Sequence, residues 1–190
     1  MQSNPPNTPP PTGEDEETQL LKSCLAGDHA AQKKFYERFH PLVLGICRRY
    51  SKDHQQAADY VNQVLLRALI KLGQYQGSLQ LAGWVRQIAV SVCLNALRNS
   101  SNRSYEELTA LKQEPTSPPE VLQRLALEDL VRLIQKLPDT QRAVFNLYTV
   151  EQLSHKEIAD QLFISESNSR YHLRQARLRL QLLVKNQNHQ

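Results

Sequence analysis

Leu153-Ser-His-Lys-Glu-Ile-Ala-Asp-Gln-Leu-Phe-Ile-Ser-Glu-Ser-Asn-Ser-Arg-Tyr-His-Leu-Arg-Gln-Ala-Arg-Leu-Arg-Leu180 reads as a short helix, a tight turn and a longer basic helix. That is the layout of a helix-turn-helix, which sets its second helix in the major groove of DNA. Ser154 caps the first helix, and Glu157, three residues on, completes a capping box. Ile158, Leu162 and Ile164 supply an apolar face, and Ser165 caps the second helix, whose outward positions carry Arg170, Arg174 and Arg177. Caps and apolar spacing fit equally a plain helical hairpin with a solvated arginine face, so the choice rests on the rest of the chain.

Charge is segregated along the 190 residues. Residues 1–18 carry Glu14, Asp15, Glu16 and Glu17 without a basic residue, and residues 19–98 sum to +7. Residues 99–138 and 139–164 are slightly acidic at −1 and −2, and the last 26 residues sum to +4. Two basic segments separated by a near-neutral one suit two contacts on one polyanion, with affinity that falls steeply with salt. A basic surface kept for solubility needs no such division.

Upstream, the chain reads as helices throughout. Residues 1–18, with Pro5, Pro6, Pro9, Pro10 and Pro11, bury too little apolar surface to order and are expected to be disordered. Leu20, Leu21, Cys24 and Leu25 line one helix face, and Gly27-Asp28 ends it. A second helix spans Ala30 to Tyr50, with Phe35, Phe39, Leu42, Val43, Ile46 and Cys47 inward and a kink or break expected at Pro41. A third runs from Gln55 to Leu72 with Ala58, Val61, Val64, Leu65, Ala68, Leu69 and Leu72 inward. A loop at Gly73–Gly77 leads to a fourth, Leu81 to Arg98, built on Trp84, Ile88, Val92, Leu94 and Leu97. Residues 99–119 read as a linker with at most a helical turn at Tyr105–Leu111. Helices resume at Glu120–Lys136 and Thr140–Val150, before the helix-turn-helix, whose last helix ends near Lys185. The expected fold is all-α: two small helical domains, 19–98 and 120–186, joined by a flexible linker at 99–119 behind the tail 1–18.

Cys24, Cys47 and Cys93 are odd in number and far apart, with no CxxC and no His at zinc spacing. They indicate neither a disulfide framework nor a metal site. No signal pattern and no apolar run of spanning length are present, so the protein is expected to be cytoplasmic. Paired carboxylates, a nucleophile elbow, a phosphate-cradling glycine loop and a metal cluster are all lacking in the sequence, which argues against an enzyme and for no cofactor. His155 and His172 sit on helices and read as surface or DNA-facing.

Four motifs, in this order and spacing, resemble the extracytoplasmic-function type of sigma factor of bacterial RNA polymerase. Asp59-Tyr-Val-Asn-Gln-Val-Leu-Leu-Arg-Ala68 resembles the region 2 helix that docks on the polymerase clamp. Trp84-Val-Arg-Gln-Ile-Ala-Val-Ser91 with Asn95-Ala-Leu-Arg98 resembles the promoter-melting helix. Leu137-Pro-Asp-Thr-Gln-Arg-Ala-Val-Phe145 resembles the entry to region 4, and Leu153–Ala159 with Ala176-Arg177 its helix-turn-helix. The resemblance covers residues 19–98 and 120–183. It implies that region 2 grips the beta-prime clamp and melts the minus-10 element, while region 4 binds the minus-35 element and the beta flap. It also implies promoter DNA and an anti-sigma protein, which could hold the molecule at the inner membrane, as partners.

Residue by residue, Asp59, Asn62, Gln63 and Arg67 share one polar helix face and become the polymerase contacts. Lys71, Tyr75, Arg86, Ser91 and Arg98 become the minus-10 contacts, with Trp84 a core residue. Arg170, Tyr171, Arg174, Gln175 and Arg177 become the minus-35 contacts, Arg suiting guanine or phosphate and Gln suiting adenine. Three positions depart from the pattern. Gln63 stands where the family usually has glutamate, Ser91 where it often has asparagine, and Phe163 where the turn often has glycine. If Phe163 must take φ > 0 it is strained; otherwise the turn differs or the ring joins the core. The competing reading is a stand-alone helix-turn-helix regulator, which leaves residues 19–98 without a task.

Overall fold

A computed structural model describes residues 13–77, 80–101 and 127–187. The first helix, α1 (Gly13–Leu25), starts earlier than expected, inside the segment read as disordered. Acidic residues at a helix N-terminus complement the backbone dipole, and Glu17 anchors the helix by an ion pair to Arg38 at 2.6 Å. Residues 1–12 lie outside the described part. Gly27 closes α1 with a φ of 83°, a conformation costly for residues with a Cβ.

Helix α2 (His29–Tyr50) begins at Asp28, whose carboxylate accepts from the Ala30 amide at 2.8 Å. It runs unbroken through Pro41, contrary to the expected kink or break. Pro41 is exposed, so water can reach the carbonyl that its ring leaves unpaired. The apolar stripe Phe35, Phe39, Val43, Ile46 and Cys47 holds both halves of the helix to the core. Helix α3 (His54–Lys71) starts in a capping arrangement: Asp53 accepts from the Gln56 amide, and Gln56 Oε1 accepts from the Lys52 amide. Its buried stripe is Ala57, Tyr60, Val61, Val64, Leu65 and Ala68; Ala58, expected inward, is exposed. The 3₁₀ turn Leu72–Gln74 takes up part of the expected loop.

Helix α4 (Leu81–Ser101) buries Leu81, Val85, Ala89, Val92 and Cys93, a stripe one position on from the expected one. Trp84, Ile88 and Leu97 are therefore half-buried at its edge, while Val92 and Leu94 are buried as expected. Helices α2, α3 and α4 pack on one another, with α1 against α2. The thiols of Cys24, Cys47 and Cys93 are free and buried.

The C-terminal half comprises α5 (Leu127–Gln135), α6 (Asp139–Thr149), α7 (His155–Leu162) and α8 (Glu166–Gln187). The linker beyond Ser101, the turn at Tyr105–Leu111 and the onset of the helix expected from Glu120 fall outside the described residues. Helix α8 packs against α5, α6 and α7, burying Leu173, Ala176, Leu180 and Val184 against Ile158, Leu162, Val144 and Leu147. Among the described residues there is no strand, and no helix is long and apolar enough to cross a membrane.

The two halves meet along a polar seam. The end of α2 presents three successive carbonyls that have no helical partner. The Gln135 amide donates to Arg48 O at 3.1 Å, the Asn146 amide to Arg49 O at 2.7 Å, and the Arg142 guanidinium to Tyr50 O at 3.0 Å. Two ion pairs flank them: Arg48 with Glu128, and Arg86 with Glu151.

Candidate nucleic-acid interface

The helix-turn-helix forms as its caps dictate. Ser154 Oγ accepts from the Glu157 amide while Glu157 Oε2 accepts from the Ser154 amide, both halves of the capping box. The Ser154 hydroxyl also donates to Glu157 Oε2 at 2.7 Å, and this bond, with that from the Ser154 amide, holds the Glu157 carboxyl below its usual range. Phe163 ends α7 in the left-handed conformation, φ 55° and ψ 43°. The strained alternative is thus the one adopted, and its ring is not in the core. It is 78% exposed, with the Arg98 guanidinium 5.2 Å from its centroid. Ser165 Oγ accepts from the Asn168 amide at 3.1 Å and starts α8.

On α8, Arg170 and Arg174 are exposed, and Tyr171 is half-buried beside them. Arg170 pairs with Glu166 one turn back at 3.1 Å. Arg177 is exposed as well, but lies over the Tyr148 ring, which in turn stacks on His155. Gln175 is a correction: at 7% exposure it has no outward amide to offer a base. Three neighbouring helices bury a wider arc of α8 than a two-helix hairpin covers, and that arc takes in Gln175. Sequence reading also passed over Ser167 and Asn168, both exposed in the first turn, the end of a recognition helix that reaches base edges. Their signal was position alone: the residues just inside a capped recognition helix.

The two histidines are structural as much as outward. His155 Nδ1 lies 2.9 Å from the Oγ of fully buried Ser169, tying α7 to α8. Burial, and then Arg170, push its pKa down; burial alone does so for His172, whose Nδ1 is buried without a partner.

In the N-terminal half, Arg67, Lys71, Trp84, Gln87, Ile88 and Ser91 line a shallow cavity of about 170 Å³ between α3 and α4. Tyr75 packs on one of its walls, its ring 5.4 Å from that of Trp84 and tilted by 52°. Trp84 is thus half in the core and half a wall, not the interior residue expected. The cavity gathers Lys71 and Ser91 from the expected minus-10 set and adds Arg67, placed on sequence grounds with the polymerase contacts. Arg86 and Arg98 face elsewhere. Arg86 forms a two-point ion pair with Glu151, at 2.9 and 3.2 Å, and Arg98 bonds to Asn95 beside Phe163. Neither is presented to a ligand at the cavity in this arrangement.

Asp59, Asn62, Gln63 and Arg67 are all exposed on α3, and the Tyr36 hydroxyl donates to Asn62 Oδ1 at 3.2 Å. Between them stand Leu66 and Ile70, 61% and 74% exposed, which make that face part apolar. Their signal lay in the doublets Leu65-Leu66 and Leu69-Ile70: a helix cannot turn both members of such a pair inward. Among the described residues, no three His, Cys, Asp or Glu side chains could share a metal ion.

The family model "Sigma-70 region 2" matches residues 35–103, and "Sigma-70, region 4" matches residues 127–180. The chain is 26% identical over 159 residues to the RNA polymerase sigma-H factor of Pseudomonas aeruginosa, covering 77% of this chain and 82% of that one. It is 26% identical over 187 residues to the ECF RNA polymerase sigma factor SigM of Mycobacterium tuberculosis, covering 93% and 94%. It is 28% identical over 153 residues to SigM of Bacillus subtilis, covering 79% and 93%.

Proposed function

The chain belongs to the sigma-70 family, as a sigma factor of the extracytoplasmic-function type, and from that premise we propose how its halves divide the work. It is a promoter-recognising subunit that binds RNA polymerase core and directs transcription initiation. Helix α8 enters the major groove at the minus-35 element, with Arg170, Arg174 and the exposed Ser167 and Asn168 toward the bases. The cavity between α3 and α4 takes an unstacked minus-10 base against Trp84 and Tyr75, with Lys71 and Arg67 on the backbone and Ser91 as the hydrogen-bonding wall. The α3 face of Asp59, Asn62, Gln63, Leu66 and Ile70 docks on the beta-prime clamp, and the C-terminal half also meets the beta flap. An anti-sigma protein is the regulatory partner in this reading. The protein works in the cytoplasm by binding, while the polymerase supplies the catalysis.

The observation that carries this reading is the pairing, on one chain, of an aromatic cavity flanked by Lys71 and Arg67 with a capped, arginine-bearing helix. A regulator acting alone would need the second and leave the first idle. Run-off transcription with core polymerase tests it. The protein should start transcripts at defined sites, and Arg174→Ala should weaken initiation on duplex promoter by roughly fivefold or more while sparing a template already melted at minus-10. No stimulation of core on any promoter would overturn it.

A further inference from the structure

Helix α8 opens on an acid. Glu166 is the only Asp or Glu in residues 165–190, a segment that otherwise carries Arg170, Arg174, Arg177, Arg179 and Lys185. It is the first residue of α8 and is exposed. Its Oε2 accepts from Arg170 Nη2, one turn on, at 3.1 Å. The helix is already started without it, because Ser165 Oγ accepts from the Asn168 amide. The helix dipole is served by an acid anywhere in the first turn, whereas position 166 stands one turn behind Arg170. A groove walled by phosphates repels a carboxylate. An acid at the reading end of a basic helix therefore works against binding unless it meets a donor on a base.

The bases differ sharply in what they offer such a group. A carboxylate only accepts hydrogen bonds. In the major groove guanine presents two acceptors, N7 and O6, and thymine presents O4 beside its methyl group. Adenine sets its N6 donor beside the N7 acceptor, and cytosine presents the N4 donor alone. Glu166 thus gains a hydrogen bond at cytosine and meets lone pairs at guanine and thymine, so it selects by repulsion as well as attraction. Arg170 has the opposite preference, for guanine O6 and N7. A single bond at Nη2 tethers its side chain to the reading end of the helix and leaves the other guanidinium N–H groups for a base. Side chains four residues apart on a helix stand about 6 Å from one another. Base pairs rise by about 3.4 Å, so the two contacts fall within two base pairs.

We propose that Glu166 is a specificity-determining residue of the minus-35 reader: it accepts from the N4 amino group of a cytosine while holding Arg170 on a guanine within two base pairs, on either strand. This rests on the sigma reading and sharpens it, assigning a base to a side chain that sequence reasoning left out of the DNA contacts. Arg170 supplies the attraction to DNA, and Glu166 supplies the rejection of wrong sequences.

Transcription from a pool of barcoded promoters randomised across minus-35, by core polymerase with the full chain, tests this. Sequencing of the transcripts should show that wild type favours cytosine over guanine and thymine at one position by roughly fivefold or more. Glu166→Ala should flatten that position and leave the preferences outside the pair's reach standing. Glu166→Gln, whose amide suits adenine N6 and N7, should move the preference there from cytosine toward adenine. Arg170→Ala should flatten a guanine within two base pairs of it. A role in helix stability alone would lower initiation on every template by one factor and leave each base preference in place. That result, a loss spread over the whole element, or a wild type indifferent to cytosine overturns the proposal. Wild type that starts no transcripts from any template defeats the sigma reading itself, and this inference with it.

Discussion

The two halves of this molecule are held together by different means. The N-terminal helices bury an apolar core from Phe35 through Cys93 with Ser51 as its buried polar residue. The C-terminal helices bury Gln141, Arg142, Asn146, Ser169 and Gln175 alongside their apolar residues. Buried polar groups must find partners, and two of these, Arg142 and Asn146, find some of theirs on the other half. The first half can thus be explained by its own pattern, whereas the second is explained in part by what it leans on. The difference suits the proposed tasks: a rigid platform for base capture and polymerase docking, and a reader that must settle on duplex.

The largest effect that would break this contrast comes from the platform. Phe35 is fully buried and packs on Phe39, so Phe35→Ala should cost about 3–5 kcal/mol. Chemical denaturation should show the loss, and a cost below about 1 kcal/mol would deny that half a tightly packed core. Next comes the reader's surface. Arg174→Ala should leave stability nearly unchanged but weaken discrimination at one minus-35 base by about 1–3 kcal/mol, read by competition with single-base promoter variants. Equal weakening on every sequence would make Arg174 a phosphate contact instead.

Those surface residues were legible in the sequence because caps and 3.6-residue periodicity are local. Ser154, Glu157 and Ser165 do what their spacing announced, and Asp59, Asn62, Gln63 and Arg67 share the exposed face their spacing set. Five misreadings or partial readings have reasons beyond the local pattern. Gln175 is buried on a helix that three others, α5, α6 and α7, pack around. Arg86 and Arg98 turn away from the cavity because region 4 brings Glu151 and Phe163 to them across more than 60 residues of sequence. Phe163 was recognised as anomalous, but its role at a seam between halves has no trace in the turn itself. Pro41 failed as a breaker because its exposed position lets solvent offset the lost hydrogen bond.

Smaller effects sharpen the comparison. Ser154→Ala removes a cap and should cost about 1 kcal/mol, loosening α7 in hydrogen exchange while leaving α2–α4 protected. Equal loss of protection in α2–α4 would mean that the halves unfold as one unit. The smallest effect is acid sensitivity. Burial depresses the pKa of His172 below its ordinary 6.5, so the unfolded chain binds a proton that the folded one refuses. Stability then rises with pH across that window, and the contribution is lost as pH falls below about 6.5. Thermal melts between pH 7.5 and 5.5 should show the decline, and His172→Leu should reduce it, leaving the share of His155. An unchanged slope in the variant would assign the acid sensitivity elsewhere.

Footprinting on one promoter bears most directly on the claim that two helical modules on one chain read two places on DNA while riding on polymerase. With core enzyme present, the account predicts protection at two separated stretches and permanganate-reactive thymines confined to the downstream one, both lost without core. A single protected site formed equally well by the protein alone, with no reactive thymines, would contradict it.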